Sequence, residues 1–166
     1  MSRSIHSHLI RALAAVATAG VMGAASLPAL ADGPFNALAG RWTGGGKIKY
    51  EGGKSESISC RITYFIGSGG ASLQQNIRCA GASGNFIVRT EVTASGNKVS
   101  GSWAETVHNL FGSASGKING DDVHMSVSAS NFTASMSVVT SGRSQSVSIT
   151  PKGAAITQVS INLNKG

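Results

Sequence analysis

The two cysteines, at positions 60 and 79, constrain the fold of this chain more than any other feature of its sequence. Between them, residues 67–70 read Gly-Ser-Gly-Gly, which is a strong turn signal. If Cys60 lies opposite Cys79 in an antiparallel pair, the turn is centred within that stretch. Opposed Cβ atoms lie about 4.5–5.5 Å apart and a disulfide needs about 3.5–4.5 Å, so a small adjustment is enough. We therefore predict a hairpin over residues 59–80, closed by a Cys60–Cys79 disulfide.

The register of this hairpin separates an apolar face from a polar one. Directly opposed pairs on the cysteine face are Ile62 with Ile77, Tyr64 with Gln75, and Ile66 with Leu73. On the other face Arg61 lies opposite Arg78. Two like charges in this position destabilise a sheet, so the register predicts acidic residues on the neighbouring strands.

From Gly40 to Leu163 the sequence alternates at period two and is broken by turn signals about every ten residues. At residues 52–53 a two-residue turn would pair Lys49 with Glu56, which shares the cysteine face, so we expect a bulge or a three-residue loop. The other turn signals predict four further opposed pairs: Val92 with Val99, Gly116 with Val123, Val138 with Gln145, and Gln145 with Val159.

Every predicted connection is a short hairpin, and each strand is apolar on one side. The fold class is therefore all-β, and two architectures can bury the apolar sides: a sandwich or a barrel. A Greek-key sandwich needs a long crossover, which the sequence lacks. We predict an up-and-down antiparallel meander barrel of 8–10 strands with its apolar face inside. An outer-membrane barrel is the weaker alternative, because aromatic residues are only 5% of the chain and form no girdles.

Residues 1–31 have the form of a secretory signal peptide. Arg3 and Arg11 precede a run of small and apolar residues, which ends at Ala29-Leu30-Ala31. Cleavage between Ala31 and Asp32 would leave one domain over residues 32–166 in the periplasm or outside the cell. A transmembrane anchor is the weaker alternative, since the apolar run is shorter than the ~20 residues that a span needs.

Neither catalytic nor metal-binding chemistry is indicated. His108 and His124 have no cysteine or acidic partners at metal-ligand spacing, no Gly-x-Ser-x-Gly motif is present, and the disulfide removes both thiols. We predict a protein that is not an enzyme and has no cofactor. The 14 basic and 7 acidic side chains give a net charge of +7, which falls to +5 without Arg3 and Arg11. The basic residues are spread over successive segments, so nucleic-acid binding is disfavoured and attraction to anionic lipid or lipopolysaccharide fits better. The alternative, which general experience favours, is a solvated surface that keeps the protein soluble.

Polar side chains on the mainly apolar face are the candidate ligand-binding residues. Together with Trp103 they could orient a small apolar or amphipathic ligand inside the barrel. The candidates are Tyr64, Gln75, Thr90, Trp103, Glu105 and Gln145. The alternative is that the polar ones lie near barrel ends and reach water, above all Glu105 near a strand end.

Gly40, Arg41 and Trp42, at the start of the first predicted strand, resemble the Gly-x-Trp signature of the calycins. This superfamily of ligand-binding barrels includes the lipocalins and avidins. The resemblance implies that Trp42 packs across the closed end of the barrel. It also implies that a basic residue from a late strand covers the ring, with Arg143 as the nearest candidate.

The stretch from Leu38 to Trp42 also looks similar to the opening of the small periplasmic metalloprotease inhibitors, which are eight-stranded barrels with one disulfide. Those proteins insert N-terminal residues into a protease cleft. The resemblance implies an alternative function as a protein-binding module, with an extended arm at residues 32–35 as the inhibitory segment.

Overall fold

The computed structural model describes residues 33–166, and the predicted signal peptide and its cleavage site lie outside them. Ten strands make up most of this part of the chain. They are β1 Gly40–Tyr50, β2 Ser55–Gly67, β3 Ser72–Gly81, β4 Gly84–Ser95, β5 Lys98–Glu105, β6 Leu110–Asn119, β7 Asp122–Ala129, β8 Thr133–Ser141, β9 Ser144–Lys152 and β10 Ile156–Lys165. Three short 3-10 helices cover Asn36–Leu38, Glu51–Gly53 and Ser68–Gly70.

Each strand pairs with its neighbour in sequence, and β10 pairs with β1, so the sheet closes into an antiparallel barrel. This confirms the predicted all-β up-and-down barrel at the upper end of its strand range. Within residues 33–166 no helix is long and apolar enough to cross a membrane.

The cysteine hairpin has the predicted register over its whole length. Cys60 lies opposite Cys79, with their Cα atoms 4.1 Å apart and a disulfide between them. Arg61 lies opposite Arg78 on the outer face, and Tyr64 lies opposite Gln75 on the inner one. The predicted register is correct here because the opposed cysteines determine it independently of the turn geometry.

Three later hairpins are shifted by two residues from their predicted registers. Each predicted turn placed glycine second in a two-residue loop, whereas Gly96, Gly120 and Gly142 come first, with φ of 59°, 56° and 57°. In these loops only the first residue has a positive φ, as in a type II′ turn, where glycine is the preferred first residue. The observed pairs are Val92 with Gly101, Gly116 with Met125, and Val138 with Val147. A shift of two keeps every side chain on its predicted face.

The β1–β2 and β9–β10 connections are both longer than a two-residue turn. The loop between β1 and β2 closes with the Tyr50 N–H donating to the Lys54 carbonyl at 2.8 Å, and the β1–β2 register differs by one from that of a two-residue turn. This confirms the prediction that residues 52–53 do not form a simple two-residue turn. The β9–β10 prediction was wrong by four residues: Pro151 stays within β9, so Gln145 lies opposite Leu163 rather than Val159.

The apolar face lies inside the barrel, as predicted. Its buried core is continuous from β1 to β10, and the outer face is largely serine and charged residues. Glycines on the inner face let neighbouring strands approach closely. A Cβ atom at Gly44 or Gly112 would lie 1.9 Å from the Asn162 carbonyl oxygen or 1.6 Å from that of Ser128. These positions therefore exclude any larger side chain unless the backbone moves.

One end of the barrel is closed by the chain that leads into β1. Residues 33–35 do not form the predicted extended arm. They turn against the β2–β3 connection, where the Phe35 N–H donates to the Gly70 carbonyl at 3.1 Å, and Phe35 is 1% exposed. Leu38 and Trp42 are buried beside it. The loops at the opposite end of the strands form the mouth of the barrel.

Candidate functional site

A cavity of about 200 Å³ lies inside the barrel toward its mouth. Trp103 near the end of β5, Phe132 in the β7–β8 loop and Pro151 near the end of β9 place it at the end opposite Trp42. Its other lining residues are Gln75, Ile77, Val88, Thr90, Ala114, Met125, Val127, Ala134, Met136 and Ile149. Nearly all of this surface is apolar. Because the cavity is present, side chains fill the barrel interior only in part.

Three of the predicted ligand-binding residues line this cavity. Gln75 lies opposite Thr90, and Thr90 lies opposite Trp103, so the three form one row across β3, β4 and β5. Gln75 and Thr90 also line a smaller space of about 50 Å³ that extends toward Leu38 and Tyr64. The row therefore stands at the boundary between the cavity and the closed half of the barrel.

Trp103 brings an unsatisfied donor to the cavity wall. Its indole Nε1 is buried and has no hydrogen-bond partner within residues 33–166. The ring lies 5.8 Å from that of Phe132, and Nε1 would be 3.1 Å from a Cβ atom at Gly112. The missing side chain at Gly112 thus makes room for the indole. A buried N–H without a partner costs about 1–3 kcal/mol, which an acceptor on a bound molecule would recover.

Tyr64 and Gln145 form a satisfied network in the closed half. The Tyr64 hydroxyl donates to Gln145 Oε1 at 2.7 Å, and Gln145 Nε2 donates to Thr140 Oγ1 at 3.1 Å. Burial raises the pKa of Tyr64 well above its ordinary value, although hydrogen bonds with Gln75 and Gln145 oppose the shift. A neutral, fully bonded group of this kind ties β2 to β9 through the barrel interior, and we assign it a structural role.

Glu105 is not exposed, in contrast to the expectation for a residue at a strand end. It is 5% exposed, and its carboxylate accepts the backbone N–H groups of Ile87, Val107 and His108 at 2.9, 3.0 and 2.7 Å. The His108 ring nitrogen Nδ1 lies 2.8 Å from Glu105 Oε2. Burial raises the pKa of Glu105, but these hydrogen bonds outweigh it and hold the pKa below its ordinary value. Glu105 therefore shapes the β5–β6 loop rather than the cavity.

Because the pKa of folded Glu105 is lowered, its stabilising effect is present above the pKa of an unfolded Glu and is lost as pH falls through the folded value. We expect Glu105→Gln to lower the free energy of unfolding at pH 7 by about 1–3 kcal/mol. The difference from wild type should shrink below about pH 4.5. Urea unfolding at a series of pH values measures both effects.

Glu91→Gln is the matched control, since Glu91 is exposed and accepts one hydrogen bond, from Gln74. It should change stability by less than about 0.5 kcal/mol. A Glu105→Gln variant whose deficit is constant from pH 7 to pH 3 would contradict the structural role of the carboxylate.

Several lining residues were not among the candidates named from the sequence. Met125, Met136 and Ile149 lie on the predicted apolar face, where they are indistinguishable from core residues before the cavity is known. Phe132 lies in a loop, outside the alternating pattern of the strands. The alternation of apolar and polar residues shows which side chains face the barrel interior, but it does not show where that interior contains a cavity.

Trp42 packs at the closed end, as the calycin resemblance implied, but a different residue covers it. The ammonium group of Lys165 lies 5.4 Å from the centre of the indole ring. Arg143 instead donates to the Lys165 carbonyl at 2.6 Å. Arg143 thus holds the backbone of the residue that covers Trp42.

Among the described residues, His108 and His124 do not lie in a cluster of potential metal ligands. Within residues 33–166, no cluster of three or more histidine, cysteine or acidic side chains could hold a metal ion. His108 contacts Glu105 and the Phe86 ring, whose centre is 5.5 Å from its own. His124 is exposed on the outer face of β7.

Comparison with known proteins supports the fold and goes no further. No protein-family model matches the chain. A search of curated proteins finds no match in sequence. The crystal structure of Rv2717c from M. tuberculosis is similar, with a TM-score of 0.65 and 14% sequence identity over 79% of this chain and 94% of that one. At this identity the likeness is one of fold, and it favours neither the calycins nor the metalloprotease inhibitors.

Proposed function

We propose that this protein is an exported, non-enzymatic carrier that binds a small apolar or amphipathic ligand inside the barrel. The observation that carries the proposal is the apolar cavity of about 200 Å³ in an otherwise closely packed interior. An exported compartment is supported by the disulfide, which persists in oxidising surroundings, and by the predicted signal peptide.

The size and lining of the cavity define the class of ligand. Pockets for drug-sized molecules usually measure about 300–1,000 Å³, whereas an apolar cavity of about 150 Å³ is sufficient for benzene. The ligand is therefore a compact apolar molecule, or the apolar end of an amphipathic one whose polar group remains at the mouth. The unpaired Nε1 of Trp103 favours one hydrogen-bond acceptor on the buried part.

The protein-binding alternative receives less support. Insertion into a protease cleft requires the N-terminal segment to be free, whereas Phe35 is buried. At Gly33 the packing is so close that a Cβ atom would lie 2.2 Å from the Gly69 carbonyl oxygen. Withdrawal of this segment would uncover the closed end of the barrel.

Filling the cavity should abolish ligand binding without unfolding the protein. Ala134 is buried and lines the cavity, so Ala134→Leu places added carbons within it. We expect the variant to bind toluene, hexanol and dodecanoate at least tenfold more weakly than wild type. Its melting temperature should be unchanged or higher, since a filled cavity restores packing contacts. Quenching of tryptophan fluorescence measures binding, and native mass spectrometry tests for ligand that co-purifies.

Ala104→Leu is the matched control, because Ala104 adjoins Trp103 on β5 but is not among the residues that line the cavity. It should leave binding within twofold of wild type. The proposal is wrong if wild type binds none of the three probes and carries no co-purifying molecule. Equal affinity in the folded Ala134→Leu variant would show that any ligand binds elsewhere.

A further inference from the structure

Four arginines on successive strands lie together on the outside of the barrel. In one row across β1 to β4, Arg41 lies opposite Thr63, Thr63 opposite Asn76, and Asn76 opposite Arg89. In the next row of the same face, Arg61 lies opposite Arg78. We call this set the arginine face; its members are Arg41, Arg61, Arg78 and Arg89.

The dimensions of the arginine face follow from sheet geometry. Arg41 and Arg89 are three strand spacings apart, about 14 Å, and the two rows are separated by two residues, or about 7 Å. Arg61 and Arg78 lie between the outer pair. Long flexible side chains at all four positions can reach one extended partner at the same time.

No ion pair within residues 33–166 neutralises these charges. All four side chains are exposed, and they form no ion pair there. The acidic residues that the sequence required beside Arg61 and Arg78 are absent from the adjoining positions, which are Thr43 and Ile87. Directly opposed like charges destabilise a sheet, so the arginine face lowers the stability of the isolated barrel.

We propose that the arginine face docks this protein on the surface of an anionic phospholipid bilayer. Guanidinium groups bind phosphate oxygens with two hydrogen bonds, and each basic residue near an anionic bilayer contributes to attraction. A bilayer also accepts apolar groups at its headgroup boundary. The docked protein would lie on the bilayer with the outer sides of β1 to β4 against it.

Phe65 favours a bilayer over other polyanions. It is 52% exposed and lines the same groove of about 260 Å³ as the four arginines. Single-stranded nucleic acid binds to platforms of several aromatic residues, and here a single aromatic side chain lies among the arginines. One exposed phenylalanine among arginines instead matches an interfacial anchor that enters the bilayer while the cations stay with the phosphates.

The arginine face lies on the outside of the cavity wall. Ile77 and Val88 are directly opposed on β3 and β4, where they line the cavity on the inner side and border the arginine groove on the outer side. Docking would therefore bring that wall to the bilayer. The arginine face can be tested without a cavity ligand, so failure of one proposal leaves the other open to test.

Co-sedimentation with vesicles tests the docking surface. Vesicles of 30% phosphatidylglycerol in phosphatidylcholine should bind wild type at 50 mM NaCl and release it at 300 mM, because salt screens exposed charges. Vesicles of phosphatidylcholine alone should not bind it. Arg61→Gln with Arg78→Gln should weaken binding about 30-fold, as expected for the loss of two basic contacts at a bilayer. Phe65→Ser should weaken vesicle binding about tenfold and leave binding to inorganic polyphosphate unchanged.

Lys98→Gln with Lys117→Gln is the matched control. These two lysines are also exposed and directly opposed, on β5 and β6, so the pair removes the same charge from the same kind of position. It should weaken vesicle binding less than threefold. Thermal unfolding should show both double variants folded, since each relieves a like-charge pair.

Three outcomes would overturn the proposal. Wild type could fail to bind anionic vesicles at low salt. The two double variants could lose affinity equally, which would show that net charge alone drives binding. Arginine-dependent binding to single-stranded DNA that is tighter than binding to the vesicles would identify a nucleic acid as the partner.

Discussion

Replacement of Trp42 by alanine is expected to lower the free energy of unfolding by about 3–5 kcal/mol, as is usual when a buried tryptophan is truncated. Trp42 is 0% exposed and is the largest fully buried side chain of the described residues. Its Nε1 donates to the Leu38 carbonyl at 2.8 Å, and the Lys165 ammonium group lies over its ring. The substitution therefore removes the packing, the hydrogen bond and the cation–π contact that close this end of the barrel.

Trp42→Phe separates these contributions. It keeps an aromatic ring beneath Lys165 but loses the hydrogen bond to Leu38, so we expect a loss of about 1–2 kcal/mol. Urea unfolding monitored by circular dichroism gives both values. A loss below about 1 kcal/mol for Trp42→Ala would mean that the closed end contributes little to the stability of the barrel.

Much of the fold was predictable because the inward or outward direction of each side chain survives errors in strand register. Whether a side chain points in or out depends only on whether its residue number is odd or even along a strand, and a register shift of two leaves this unchanged. The glycine turns at positions 96, 120 and 142 illustrate the point. Their positions within the loop were misjudged by one residue, so each register moved by two while the inner face stayed correct.

The candidate site was less predictable, because polar residues on the inner face have more than one use. Thr90 and Trp103 line the cavity, whereas Gln145 accepts a hydrogen bond from Tyr64 in the closed half of the barrel. Glu105 binds the loop that follows its own strand. All four share the same alternation in the sequence. Only the contacts made across the barrel distinguish a lining residue from a structural one.

The arginine face shows the opposite effect, in which dispersal along the sequence conceals proximity. Arg41, Arg61, Arg78 and Arg89 are separated by 11 to 20 positions, and the spread of basic residues along the sequence counted against nucleic-acid binding. In a meander each strand lies beside the next, so residues about one hairpin apart become neighbours. A sequence-level search for basic clusters in such folds should therefore compare rows of the sheet rather than runs of the chain.

Removal of the disulfide is expected to lower the free energy of unfolding by about 3 kcal/mol. Cys60 and Cys79 are 19 positions apart, and a cross-link that closes a loop of this length restricts the unfolded chain by about that amount. The bridge joins the middle of β2 to the end of β3, and both sulfurs belong to the buried core. Cys60→Ala with Cys79→Ala should add a small packing loss to the loss of the cross-link.

Reduced wild type is the control that separates the two effects, because it keeps both side chains and lacks only the bond. With a urea m-value of about 2 kcal/mol/M, its unfolding midpoint should fall by about 1.5 M, and that of the double variant slightly further. The two samples should show similar far-ultraviolet circular dichroism at low urea, since the register of β2 and β3 is also fixed by the pairs around the bridge. A midpoint unchanged by reduction would mean that the bridge does not restrict the unfolded chain. Two titratable thiols in the unreduced, unfolded protein would mean that the bridge is not formed.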